Sequence, residues 1–303
     1  MDAPSALAVV FDCNPDGWRN SAALIRTVDQ VLFFVNAFRI LHVDNRLVVF
    51  GTHPTEVRPL WPSAAEELPA APVEPQAVRR ALVHGVEDLL AKDPGDAAGS
   101  LLGGALARAL PRLAAAKRAT PRLQLHLLVV HASADVPHQH LPGMNCAFAA
   151  KKLGVVVDAI EFAKADSQVL QTAADMTGGV YLRPDAATRT GLSQFLISSC
   201  LPDAAAREVL RAPAQAAVET RAICHRTHQP VSLGYACSVC LAVFADAKDL
   251  TSCPVCGEQF RNVLRKRRPQ PPPPPPPRPR PPPPPPPRPR PPPPPPPRPP
   301  SKK

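Results

Sequence analysis

Short apolar runs bounded by turn formers alternate along the chain with longer stretches whose apolar positions recur every three to four residues. Strands covered on both faces read as continuous apolar runs, and parallel neighbours require a crossover that is usually a helix. The pattern therefore predicts an α/β domain with a mostly parallel sheet and helices on both faces. Strands are expected at residues 7–11, 47–50, 123–130, 155–160 and, briefly, 180–182. Residues 21–42 repeat Leu24, Val28, Val31, Leu32, Val35 and Phe38 at helical spacing, and Phe33 and Phe34 add a second apolar side, which predicts a helix buried nearly all round. Further helices are expected at 77–91, 98–110 and 142–153. Another follows the capping oxygens of Asp166 and Ser167, carries Val169, Leu170, Ala173 and Met176 on its buried side, and stops at Gly178 and Gly179. A last one covers about 188–200. Prolines 54, 59, 62, 69, 72 and 75 mark an edge excursion followed by a surface loop.

Composition changes the picture at the C-terminus. The chain has 303 residues, a net charge of +10 and 44 prolines, about three times the ordinary share. Residues 261–303 hold 12 of the 35 basic residues and none of the 25 acidic ones, so residues 1–260 carry 23 against 25. A near-neutral body argues against a globular nucleic-acid binder held by a broad basic face. The tail repeats seven prolines plus Arg-Pro-Arg; it cannot bury a core and is expected to be disordered or polyproline II, roughly 100 Å long if extended. The expected organisation is a large domain over 1–203, a linker over 204–222, a small cysteine module over 223–262 and the basic tail over 263–303. No run of about 18 apolar residues and no basic leader precedes a cleavage site, which predicts a soluble chain with no membrane contact.

Four of the eight cysteines fall as Cys237-x2-Cys240-x12-Cys253-x2-Cys256. Each Cys-x-x-Cys turns two thiolates toward one point, and two such knuckles complete the tetrahedral cage of a structural zinc, with no position left open for a water. One zinc is expected there, supplying much of the folding free energy of a module too small for its own core. Cys224, His225 and His228 offer at most three donors toward a second metal and are read as a packed cysteine and surface histidines. Cys13, Cys146 and Cys200 read as small core residues, and the free thiols imply a reducing compartment.

At the end of the first strand, Asp12, Asn14, Asp16 and, after the third long strand, Asp135 offer oxygens that Mg²⁺ accepts. An Asx-Pro turn with capping carboxylates explains the same residues, and that reading is preferred, leaving Mg²⁺ out. Gly103 and Gly104 follow no strand and precede no Gly-Lys-Ser, so they are read as a close-packing spot on a helix. His126, His131, His138 and His140 flank a strand and read as solvated. No nucleophile-base constellation appears, so no enzyme is expected.

LAVVFDCNP, SLLGGALARAL, LLVVHASAD, VVVDAIEF, LQTAADMTGGVYL and FLISSCLPD, followed by ICHR, LGYACSVCLAVF and CPVCGEQF, stand in the order seen in the smaller von Willebrand factor A-like subunits of general transcription factor IIH, which residues 5–260 resemble. The resemblance implies a Rossmann-like A domain followed by a zinc module, a non-catalytic place in that factor's core complex in the nucleus, and roles in RNA polymerase II initiation and nucleotide excision repair. It implies pairing with the larger A-like subunit through that partner's RING-like zinc domain, neighbouring helicase subunits, and DNA met only through the complex. Three departures stand out. Metal-dependent A domains carry Asp-x-Ser-x-Ser where this chain has Asn14 and Asp16, with Ala105 in place of a ligand hydroxyl. Members often have a cysteine near Ala245. Pro111 is expected to interrupt the helix that begins near Leu101. The competing classes are a RING-type ubiquitin ligase, which wants two complete zinc sites, and a free metal-dependent ligand-binding A domain.

Overall fold

The β-branched runs of the sequence become six strands of one sheet in the computed structural model, which describes residues 3–18, 21–62, 68, 74–95, 99–185, 189–210, 221–227, 229–246 and 250–260. They are β1 (Ser5–Asp12), β2 (Arg46–Thr52), β3 (Val57–Trp61), β4 (Gln124–His131), β5 (Val155–Glu161) and β6 (Tyr181–Leu182), in the spatial order β3-β2-β1-β4-β5-β6. All pairs are parallel except β2 with β3, which closes one edge antiparallel. The proline-spaced excursion is thus itself an edge strand, where Pro59 needs no ladder partner on its outer side.

Side chains alternate across the sheet, so each strand feeds two cores. Leu7, Val9 and Phe11 pack beneath α1 (Ser21–Leu41), α2 (Pro75–Leu90) and the short α6 (Leu192–Phe195), which runs on as a π turn, Leu196–Cys200. Ala6, Ala8 and Val10 face α3 (Leu102–Ala119), α4 (Pro137–Leu153) and α5 (Gln168–Thr177). Ser167 caps α5 through Leu170 N–H, and Gly178 ends it at φ +71°. Gly179 is fixed by space instead, since a Cβ there would lie 1.9 Å from the Val157 carbonyl oxygen. Gly103 is likewise a close approach, with α4's Pro142 2.8 Å from where its Cβ would be. Among the described residues no helix is long and apolar enough to cross a membrane.

Four expectations need correction. Helix α1 is not buried all round: Phe34 is 1% exposed but Phe33 56%, and Ile25 and Ile40 are open too, because one helical layer covers the sheet and, among the described residues, nothing covers that layer. Helix α3 runs through Pro111 to Ala119; the proline sits on the exposed side, where water can take the carbonyl four residues back that it cannot bond. Helix α4 starts at Pro137 rather than near Pro142, both prolines being acceptable to a first turn by sequence alone. The linker expected from residue 204 begins with a docked helix, α7 (Ala204–Val209), capped by Asp203. The rest of that stretch, residues 211–220, and the tail 261–303 lie outside the described residues.

Arg207 is what holds α7. Its Nη1 and Nη2 donate to the two oxygens of Asp158 on β5 at 2.8 and 2.6 Å, and it also donates to the carbonyls of Cys200 and Pro202. Asp158 is 2% exposed and accepts the Val180 N–H besides. Removing one partner of a buried pair leaves a buried charge unmatched, at a cost of about 3 kcal/mol or more. Arg207→Ala is accordingly expected to lower the urea stability of the large domain by about that amount; an unchanged unfolding curve would show that α7 is not latched.

Candidate functional site

The four cysteines of the spaced motif converge. Their sulfur atoms all lie within 4.8 Å of one another, with Cys237 3.7 Å from Cys256 and Cys240 3.6 Å from Cys253. A tetrahedron of sulfurs with metal bonds of about 2.3 Å has edges of about 3.8 Å, so the cage has the dimension a four-coordinate metal requires. The two knuckles are built alike. Cys237 N–H donates to the Ala242 carbonyl and Leu241 N–H to the Cys237 carbonyl; Cys253 N–H donates to Glu258 and Gly257 N–H to Cys253 in the same pattern. The residue after each second cysteine takes a left-handed turn, Leu241 at φ +59° and Gly257 at φ +76°. Each knuckle is also closed at the same register, by β9 (Tyr235–Ala236) against β10 (Val243–Phe244) and by the Ser252–Gln259 bridge. Beneath them Ala242 and Phe244 form a small core that Leu141 of α4, Leu250, Val255 and Phe260 complete.

The thiols cannot all ionise comfortably by themselves. Burial and the neighbouring sulfurs push Cys240 up to about 12, whereas at Cys237 the N–H groups of Cys240 and Val239 overcome burial and bring it down to about 7. Four thiolates in one cage call for a cation, which the donor set suits as soft, tetrahedral and sulfur-only. These four residues are a candidate metal centre.

The second cluster expected to be weak, Cys224 with His225 and His228, does not assemble into one among the described residues; His228 lies outside them. Cys224 stands between β7 (Ala222–Ile223) and β8 (Pro230–Val231), and its Sγ accepts the Ala245 N–H at 3.3 Å. Burial would raise this thiol, but the Thr227 side chain and the N–H groups of Ala245, Thr227 and Arg226 bring it down to about 7. It forms a knuckle in which Thr227 and Ala245 stand where further sulfurs would be. His225 instead meets His140 of α4 edge to face, with ring centroids 4.2 Å apart. Burial holds His140 down to about 4, helped by His225.

At the C-terminal edge of the sheet the strand register sets Asp12, His131 and Glu161 side by side on β1, β4 and β5. Asp12 Oδ2 accepts the N–H groups of Ala132 and Ser133, and Oδ1 accepts that of Asn14. Asn14 accepts the Asp16 N–H and donates to Ser133 Oγ. Asn14 makes the Asx-Pro turn expected there, and Asp12 makes a second Asx turn just before it. Asp135 does not join them; it accepts from Ser167 Oγ and Gln168 N–H at the start of α5. Cys13, Cys146 and Cys200 are buried, as read. His138 is exposed, but His126 and His131 are buried, which overturns their reading as solvated.

With this geometry in place, comparison with known proteins decides the kinship. A family model for transcription factor Tfb4 matches residues 4–257. The general transcription and DNA repair factor IIH subunit tfb4 of Schizosaccharomyces pombe is 31% identical over 272 residues, covering 86% of this chain and 90% of its own. Its Saccharomyces cerevisiae counterpart is 26% identical over 294 residues, covering 86% of both. The chain belongs to the Tfb4 family. The crystal structure of the TFIIH p34 N-terminal domain superposes with a TM-score of 0.56 at 23% identity, covering 65% of this chain and 97% of that one, and bears out the A-like fold.

Within this Tfb4-family chain, sequence reasoning missed the His131–Glu161 pair. His131 Nδ1 is 3.0 and 3.2 Å from the Glu161 oxygens, and Nε2 is 3.9 Å from Asp12 Oδ2. Burial works to lower the imidazole, but Glu161, by charge and hydrogen bond, then Asp12 and Asp135 overcome it and hold it raised to about 9. Burial raises Glu161 also, so the pair holds its proton tightly. The signal was available: a histidine and a glutamate each at the last position of a strand, which the parallel register brings together.

A folded pKa near 9 against about 6.5 unfolded means that this proton stabilises the fold fully below pH 6.5, and that its contribution is lost as pH rises toward 9. The loss is expected to be on the order of 3 kcal/mol. Urea unfolding measured from pH 6 to 9.5 checks it: His131→Gln is expected to flatten the decline, and an equal decline in the variant would refute the assignment.

Proposed function

We propose that this chain is a non-catalytic structural subunit of the transcription factor IIH core complex, acting in RNA polymerase II transcription initiation and nucleotide excision repair through protein contacts, in the nucleus. The observation that carries the reading is the match over residues 4–257, and over most of the relatives' own length, to proteins named as subunits of that factor. The geometry supports it. His131 is 2% exposed, and four sulfurs leave a tetrahedral ion no open position for a reacting group. Meanwhile Ile25, Phe33 and Ile40 are exposed along α1, and Leu233, Tyr235, Val239 and Leu241 are exposed on the cysteine module. Exposed apolar groups of this size are what permanent protein contacts cover. The partner proposed is the larger A-like subunit through its RING-like zinc domain, with helicase subunits in the same core and DNA met only through the assembly.

The ion proposed for Cys237, Cys240, Cys253 and Cys256 is one structural zinc, and no magnesium is assigned to the A domain, since Asp12 spends its oxygens on backbone N–H groups. A RING-type ligase finds no support: Cys224 has Thr227 and Ala245 beside it where a second site needs sulfur or imidazole. The proposed division is 1–203, 204–222, 223–262 and 263–303, with α7 bound to the first domain beyond residue 203 through Arg207.

Two experiments test this. The untagged chain isolated from nuclei is expected to co-purify with A-domain and helicase subunits at equal stoichiometry in magnesium-free buffer; isolation as a free protein, or magnesium-dependent assembly, would sink the reading. Cys240→Ser is expected to release the metal and speed amide exchange across residues 224–260 by at least about 100-fold, leaving the sheet strands protected; unchanged exchange would show the metal to be dispensable.

A further inference from the structure

Helices α3 and α4 pack against each other through Gly103 and Pro142 and carry six lysines and arginines, four on α3 and two on α4, with no acid on either. Two of the six are engaged: Arg108 donates to the Val57 carbonyl, and Arg112 stacks over the Phe50 ring. The other four, Lys117, Arg118, Lys151 and Lys152, stand in the last turns, and Arg122 follows on the link to β4. The strand register gathers them where the sheet begins. Leu125 of β4 pairs with Val155 of β5, so Arg122 and Lys152 each stand three residues ahead of that pair. Lys117 crosses to the other helix, its Nζ 3.8 Å from where a Cβ would lie on Gly154, the residue that ends α4. Arg46, the first residue of β2, closes the group by donating to Thr120 Oγ1 just past α3.

Among the described residues none of the six bases at this edge makes an ion pair, whereas Arg58, Arg80, Lys92, Arg183 and Arg207 each meet a carboxylate. A base in a last turn complements the helix dipole, but that preference does not remove every acid from two whole helices. The neighbouring α5 brings one acid, Asp175, to its own last turn. Amid the bases Phe148 is 56% exposed and Leu153 36%, and Phe148 lies one turn from Lys151 and Lys152 on the same side of α4. We propose that this edge is a docking surface for an acidic protein segment with apolar side chains among its carboxylates. Charge complementarity selects an anionic occupant, and the six bases have no ion pair among the described residues to give up on binding it. The apolar pair selects a peptide over a nucleic acid, because a phosphate backbone meets the bases but leaves Leu153 nothing to bury against. The near-zero net charge of residues 1–260 hides this surface, since the acids that balance it pair elsewhere, as Glu56, Glu74 and Asp166 do. The proposal goes beyond the assembly reading and does not rest on it, because it concerns the isolated chain.

The test is fluorescence anisotropy at low salt, with the full chain titrated into a labelled probe peptide in which glutamates alternate with leucines and phenylalanines. The basic residues of 261–303 are present in every chain compared, so differences between chains read the edge itself. Lys151→Glu with Lys152→Glu is expected to weaken binding at least about 10-fold, and Lys117→Glu with Arg118→Glu to do the same from the other helix. Phe148→Ser is expected to weaken it at least about 3-fold, whereas a probe with serines in place of its apolar residues binds wild type and Phe148→Ser alike. Unchanged binding in both charge-reversed chains, or in Phe148→Ser, would overturn the proposal. So would a DNA oligonucleotide of equal charge that binds more tightly than the peptide and is weakened as much by the same reversals, since nucleic acid would then be the occupant. If a reversed chain does not fold, Lys151→Gln with Lys152→Gln decides: a loss of at least about 3-fold supports the surface, and unchanged affinity refutes it.

Discussion

Asp12 sets the terms for the whole large domain. It is fully buried at the end of the central strand β1, and a carboxylate so placed must be satisfied from within. The N–H groups of Ala132 and Ser133 reach it from the loop after β4, and that of Asn14 from its own loop. The same residue's carbonyl accepts the Trp18 indole N–H at 2.8 Å, which lays Trp18 on Phe11 and against Phe162. Gly17 passes so close that a Cβ would be 2.9 Å from the Ala132 carbonyl. One carboxylate thus ties the loops after β1 and β4 into a single closed edge, with His131 supplying the opposite charge.

The same logic recurs wherever this chain buries negative charge. Asp158, farther down β5, is matched by the two-pronged Arg207, and that match carries the chain from the sheet into the segment leading to the cysteine module. The sulfurs of the module meet backbone N–H groups and one another, and their cage has the size of a metal site. Where a side chain provides the counter-charge the structure is self-sufficient; where none does, an ion is called for. A domain closed in this way has its outer apolar groups, such as Phe33 and Ile40, free for lasting protein contacts.

The central strands and the cysteine cage were legible because each leaves a local mark. Strand β1 is an unbroken apolar run between its ends, β4 and β5 are apolar runs interrupted once each, by His126 and Asp158, and Cys237, Cys240, Cys253 and Cys256 carry their geometry in their spacing. The rest depended on register or on what lies overhead. That Phe33 faces outward while Phe34 is buried follows from the number of layers, which helical periodicity does not encode. Leu241, a leucine in a left-handed turn, repeats the place of Gly257 without its identity, so the likeness of the two knuckles shows only in the backbone. His131 and Glu161 are 30 residues apart, and Arg207 and Asp158 are 49; each pair meets because parallel strands or a returning helix bring it together.

Internal satisfaction of the A domain and a single sulfur cage together set the metal content of the chain, which measures both at once. Elemental analysis of the full chain purified under native conditions is predicted to find one zinc per chain and no other divalent metal in stoichiometric amount. Two zincs, no zinc in a well-folded preparation, or one magnesium per chain would contradict it.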